Sequence, residues 1–105
     1  MEFEETIWFT KWVVASMGDE EYRRFQNYLY AYPSAGDVIP GGGGLRKIRL
    51  ALPGKGKRGG VRVIYFHAAS RNTILLLFAY EKNKLGNLTP DQVKVLRRIV
   101  REEYP

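Results

Sequence analysis

The side chains of this 105-residue chain best suited to chemistry are cations. From Val38 to Tyr80 there is no Asp or Glu, while Arg46, Lys47, Arg49, Lys55, Lys57, Arg58, Arg62 and Arg71 contribute +8. Lys82, Asn83 and Lys84 follow directly after that stretch and Glu81. Unrelieved cations destabilise a fold by mutual repulsion, so such a stretch calls for a compensating anion such as nucleic acid. Lys and Arg are also sufficient for one reaction. A ribose 2′-hydroxyl attacks its neighbouring phosphate if one group accepts its proton, cations stabilise the charged transition state, and another group protonates the leaving oxygen. Crowded lysines lower one another's pKa toward that of a useful base, and Arg stays charged and clamps the phosphate.

Other chemistries are closed by composition. With no cysteine there is no disulfide framework, thiol nucleophile or thiolate metal site. His67 is the sole histidine, so paired-histidine ribonuclease chemistry is absent and a serine triad has no spare base. The basic stretch has no carboxylates to hold magnesium, and one histidine cannot build a zinc site; no cofactor is expected. Gly54, Gly56 and Gly59 spell G-x-G-x-x-G, but Val61 onward reads as a β-branched strand where a dinucleotide fingerprint requires a helix.

The net charge is +6, but its distribution is uneven: residues 1–37 hold seven acids and three bases. The elements that must carry the cations follow from periodicity. Glu2 to Thr6 reads as a short strand, with Thr6 capping a helix through Trp8, Trp12 and Ala15 toward Gly18. Asp19 is the expected cap of a second helix, with Tyr22, Phe25, Leu29 and Tyr32 on one face and Pro33 ending it. Ser34 to Gly44 is a Gly- and Pro-rich connection. Leu45 to Leu52 alternates, with Arg46, Ile48, Leu50 and Leu52 on one face and Lys47 and Arg49 on the other. Pro53 to Gly60 is a loop with three cations. Val61 to His67 and Thr73 to Tyr80, joined by a hairpin loop at Ala68 to Asn72, are apolar enough for central strands covered on both faces. Thr89, Pro90 and Gln92 form the start of a final helix, with Val93, Leu96, Ile99 or Val100, and Glu103 marking successive turns and Lys94, Arg97, Arg98 and Arg101 on the outer side.

The segments LRKIR, GKGK-x-GG, R-V-I-Y and AYEKN-x-x-x-NLT together resemble the HigB-like branch of the RelE/ParE toxin superfamily, across about the whole chain. The resemblance implies an α+β fold over residues 1–105 as a single domain: N-terminal helices on a small, twisted, mainly antiparallel sheet of about four strands, plus a C-terminal helix. It implies a toxin of a type II toxin–antitoxin pair that cuts mRNA on the ribosome without metal. The family's strand-borne cations fall on Lys47 and Arg49, its phosphate-binding arginine on Arg62, its loop lysines on Lys55 and Lys57, and its basic residue after the last strand on Lys82.

Catalytic roles are thus expected at Arg62, Lys82, Lys57 and Lys55, and RNA contacts at Lys47, Arg49, Arg46, Arg58, Tyr80, Asn83 and Lys84. The chain departs from several relatives where they place a tyrosine, having Asn87 and Leu88 instead; Tyr104 lies too far along the last helix to replace it. The implied partners are a HigA-like antitoxin with a helix-turn-helix domain, the ribosome and mRNA, with operator DNA reached only through the antitoxin. Without a signal-like start or a long apolar span, no membrane partner and a cytoplasmic location are expected. Two other readings keep the same charge pattern: a ParE-like toxin acting on gyrase, and an RNA-binding module that cleaves nothing.

Overall fold

The two long apolar runs occupy the centre of the sheet in the computed structural model, which describes residues 1–51 and 60–105. The sheet has five strands: β1 (Glu2–Glu5), β2 (Asp37–Val38), β3 (Leu45–Leu50), β4 (Val61–Ala68) and β5 (Thr73–Glu81). Their order is β1-β5-β4-β3-β2. β1 runs parallel to β5, and the other three pairings are antiparallel. The helices are α1 (Ile7–Ser16), α2 (Asp19–Ala31), the single-turn α3 (Lys82–Leu85) and α4 (Pro90–Glu103).

This is the expected α+β arrangement with one strand more than four. β2 arises inside the Gly- and Pro-rich connection, where Asp37 and Val38 pair with Lys47 and Arg46. Two residues are too few to show a hydrophobic period. β3 ends at Leu50, short of the expected Leu52, and β4 extends to Ala68, taking one residue from the expected hairpin loop. The rest of that loop is a 3₁₀ turn closed by Asn72 in the left-handed conformation, φ 49°.

Helix starts follow local hydrogen-bonding chemistry. The Thr6 side chain accepts from Phe9 N at 3.2 Å and so satisfies one of α1's unpaired amides. Gly18, not Asp19, occupies the cap position of α2, and its own N–H donates to Glu21 Oε1 at 3.1 Å. Asp19, Glu20 and Glu21 then all lie in the first turn, where the helix dipole favours acids. At α4, Thr89 accepts from Gln92 N (3.2 Å) and Gln92 Oε1 accepts from Thr89 N (2.8 Å), the reciprocal pair expected of this sequence.

The sheet separates two cores. Phe9 and Val13 of α1 and Phe25 and Leu29 of α2 pack on Val61, Val63, Tyr65, Ile74, Leu76 and Ala79. On the other face, Leu96 and Val100 of α4 pack on Leu45, Ile64, Leu75, Leu77 and Tyr80. A bulge makes this division possible: Ile64 pairs with Phe78 and Tyr65 with Leu76, so Leu77 is the additional residue and the side-chain phase of β5 reverses there. An uninterrupted apolar run tolerates that reversal because either phase buries an aliphatic side chain. Among the described residues no helix is long and apolar enough to cross a membrane.

Candidate functional site

Register decides which cations meet. Directly opposed residues on antiparallel strands share a face, and β3 pairs Arg49 with Arg62 and Lys47 with Ile64, while β4 pairs Arg62 with Tyr80. Lys47, Arg49, Arg62 and Tyr80 therefore lie on the face covered partly by α4. Arg46 lies on the opposite face.

The two arginines converge on Gly60. A Cβ built there would stand 3.3 Å from one terminal nitrogen of Arg62 (Nη1) and 3.7 Å from Arg49 Nε. Among the described residues, Arg62 Nη1 has no hydrogen-bond partner and is shielded from solvent. A buried charged donor without a partner is costly, so this is a place where an anion would be stabilising. Lys82 enters the same end of the sheet: its backbone N–H donates to Gly60 O at 3.1 Å, and its side chain is exposed. Ala51 and Gly60, the described ends of the β3–β4 connection, lie there too. Lys55, Lys57 and Arg58 belong to that connection, outside the described residues.

Next to these arginines an open cleft of about 490 Å³ lies between β3, β5, the glycine turn and the start of α4. Among the described residues its cationic lining is Lys47, Lys94 and Arg97, and no acid lines it. Tyr80 forms part of its floor and is only 7% exposed. Burial raises the Tyr80 hydroxyl above its ordinary pKa of 10.0 and the nearby Arg62 charge opposes that shift, so at neutral pH the phenol keeps its proton and acts as a donor, not a base. Among the described residues no three His, Cys, Asp or Glu side chains are grouped to hold a metal ion.

The other expected residues of the described part are placed as follows. The Arg46 guanidinium donates to Gly36 O at 2.7 Å and to Ser34 O at 3.3 Å, holding the chain before β2. Lys84 pairs with Glu81 at 3.1 Å, which offsets its charge. Asn83 is exposed on α3 beside Lys82. Tyr104 stacks on Phe66 with ring centroids 5.9 Å apart, and its hydroxyl donates to Glu4. It is thereby occupied in joining the chain's end to β1, and Asn87 and Leu88 line the cleft instead.

The sequence-family model described as the RelE toxin of the RelE/RelB toxin–antitoxin system matches residues 6–103. The chain belongs to the RelE toxin family. It is thus the toxin component of a toxin–antitoxin system, and toxins of this family pair with an antitoxin. The RelE fold here gathers strand-borne cations from β3 and β4 on the sheet face against which α4 packs.

Periodicity misassigned one residue of this RelE site. Arg97 is not on the outer side of α4 but half-buried and lining the cleft. Position 97 follows Val93 by four and precedes Val100 by three, so it belongs to the inward stripe. A cation inside an apolar stripe was the available signal.

Proposed function

We propose that this toxin is a HigB-like, metal-independent mRNA endoribonuclease that acts on the translating ribosome. The observation that carries this reading is the convergence of Arg49 and Arg62 at Gly60, with an Arg62 donor lacking a described partner, beside an acid-free cleft. Arg62 clamps the scissile phosphate. The adjacent 2′-hydroxyl attacks phosphorus, its proton passes to a basic side chain, and the P–O5′ bond breaks. The products are a 2′,3′-cyclic phosphate and a 5′-hydroxyl on the downstream fragment. Arg49 and Lys47 neutralise the backbone alongside, and Lys82, with Lys55 and Lys57, takes part in proton transfer. Tyr80 donates a hydrogen bond from its protonated phenol, and Arg58, Asn83 and Lys84 contact the strand at the rim.

The proposed antitoxin is HigA-like with a helix-turn-helix domain, through which operator DNA is reached, and the proposed location is the cytoplasm. Inducible expression followed by mapping of mRNA 5′ ends tests the reading. New 5′-hydroxyl ends within translated codons are expected within minutes, insensitive to chelators in a purified translation system. Arg62→Ala is expected to remain folded and to lower cleavage by about 100-fold or more, the usual loss when a transition-state clamp is removed. An equally toxic, folded Arg62→Ala variant overturns the assignment. Growth arrest that starts with DNA damage instead of mRNA cleavage supports a gyrase-directed toxin.

A further inference from the structure

A second cleft, of about 320 Å³, runs along the other flank of α4, between that helix, β5 and the start of α1. Trp8 of α1, Phe78 of β5 and Val95 and Ile99 of α4 are among its lining residues, and Gln92 is the sole polar one among the described residues. Trp8 and Val95 are 54% and 55% exposed, and Ile7, next to Trp8, is exposed as well. Large apolar side chains grouped in the open mark an interaction surface.

The α4 wall of this cleft has the pattern of a helix–helix seam. Gln92, Val95 and Ile99 are spaced three and four positions apart, as core residues of paired helices are. Asp91 and Arg98 immediately precede Gln92 and Ile99, so both lie on one flank of that seam, on either side of Val95. Both are exposed, and among the described residues neither is in an ion pair. When two identical helices pack antiparallel about a twofold axis, like flanks meet. With Val95 on the axis, Asp91 of each copy stands beside Arg98 of the other.

Charge selects the occupant. An acidic partner is drawn to the cation face of the sheet, whereas the rim here is balanced: Asp91 and Glu102 stand against Arg98 and Lys11, the last one turn along α1 from Trp8. Opposite signs placed symmetrically about an apolar centre are complementary to a second copy of themselves.

We propose that this flank of α4 is a self-association surface: two copies of the toxin pack α4 against α4, antiparallel about Val95, with Asp91–Arg98 ion pairs at the rim. The contact is centred on one helix of 14 residues, about 21 Å long, so it belongs with small interfaces and the dimer is of micromolar affinity. Arg97 lies about 200° round the helix from Val95, so the cleft that Arg97 lines stays open in the dimer. The pairing does not depend on what the cation face cleaves.

The test is sedimentation velocity on the purified full-length toxin, free of antitoxin, with circular dichroism to report folding of each variant. The wild type is expected to pass from monomer to dimer between about 1 and 300 µM. Val95→Glu sets two carboxylates against each other at the axis and should leave the toxin monomeric throughout. Asp91→Arg and Arg98→Asp each place like charges opposite one another and should weaken association about tenfold. The double variant Asp91→Arg/Arg98→Asp only exchanges the partners of each ion pair and should regain wild-type association, a rescue that loss of general surface character does not give.

A wild type that stays monomeric over the whole range overturns the proposal, including the case in which Val95→Glu abolishes antitoxin binding, which makes the antitoxin the occupant. A dimer that persists in folded Val95→Glu overturns it as well. If Val95→Glu does not fold, the charge variants decide: a double variant as weak as the single ones, or single variants as tight as the wild type, refute the antiparallel pairing.

Discussion

Arg46 and Arg49 are three positions apart and have opposite fates. Alternation along β3 sends Arg49 to the cleft face, where its partner is another arginine, and Arg46 to the other, where two backbone carbonyls accept its protons. Charge-assisted hydrogen bonds of this kind contribute about 1.5–3 kcal/mol. Arg46→Ala should therefore lower unfolding free energy by about 2 kcal/mol in urea titrations and leave the salt dependence of RNA binding unchanged. A loss of RNA affinity without a loss of stability would contradict that role.

Two phenols give a pH prediction at the same scale. Tyr22 donates to Glu5 and Tyr104 to Glu4. Burial first, then the hydrogen bond and charge of the glutamate, hold both hydroxyls above the ordinary 10.0. Each folded pKa is raised, so the unfolded chain releases these protons first. Their contribution to stability is complete below pH 10 and is lost as pH climbs from there toward the folded values. Denaturant midpoints should therefore fall steeply above about pH 10, and Tyr22→Phe should flatten part of that decline. An alkaline limb identical to wild type would exclude Tyr22 as its source.

At the scale of elements, the cleft exists because α4 starts where it does. Thr89 and Gln92 satisfy each other's backbone amides, and Pro90 needs no hydrogen bond at the first helical position. Thr89→Ala should cost about 1 kcal/mol, read as a lower urea midpoint with an unchanged m-value. The start of this helix was legible in the sequence because capping is local chemistry among four consecutive residues. β2 and α3 were not legible: each is short, and pairing to β3 or following β5 defines it more than its own composition. The bulge in β5 was hidden for a related reason. Ile74 to Leu77 are all large and apolar, so no alternation existed to mark the change of phase.

Across the whole molecule, the acidic N-terminal part and the basic middle part serve different faces. Glu2, Glu4 and Glu5 lie on the edge strand β1, where charge discourages further strand pairing. Lys47, Arg49 and Arg62 lie on the face shared with α4. If these three and Lys82 each neutralise one phosphate, the log–log salt slope for single-stranded RNA should be about −3 or steeper. Binding measured from low to moderate salt checks this directly, and a flat response would exclude the cation face as the main source of affinity.

The absence of acids from Val38 to Tyr80 already pointed to a polyanionic ligand, and composition does not depend on folding. Alternation likewise placed Lys47 and Arg49 together, because β side chains repeat every two residues whatever the strand pairs with. Which cations from different strands become neighbours is another matter. That Arg62 opposes Arg49 at Gly60, while Arg46 is tied to the Ser34–Gly36 backbone, depends on register between strands more than ten residues apart. The cleft under α4 and Arg97 on its wall depend on how a helix and a glycine turn pack over the sheet. Short-range order can be read from neighbouring residues, whereas a site assembled from five segments is created by the contacts among them.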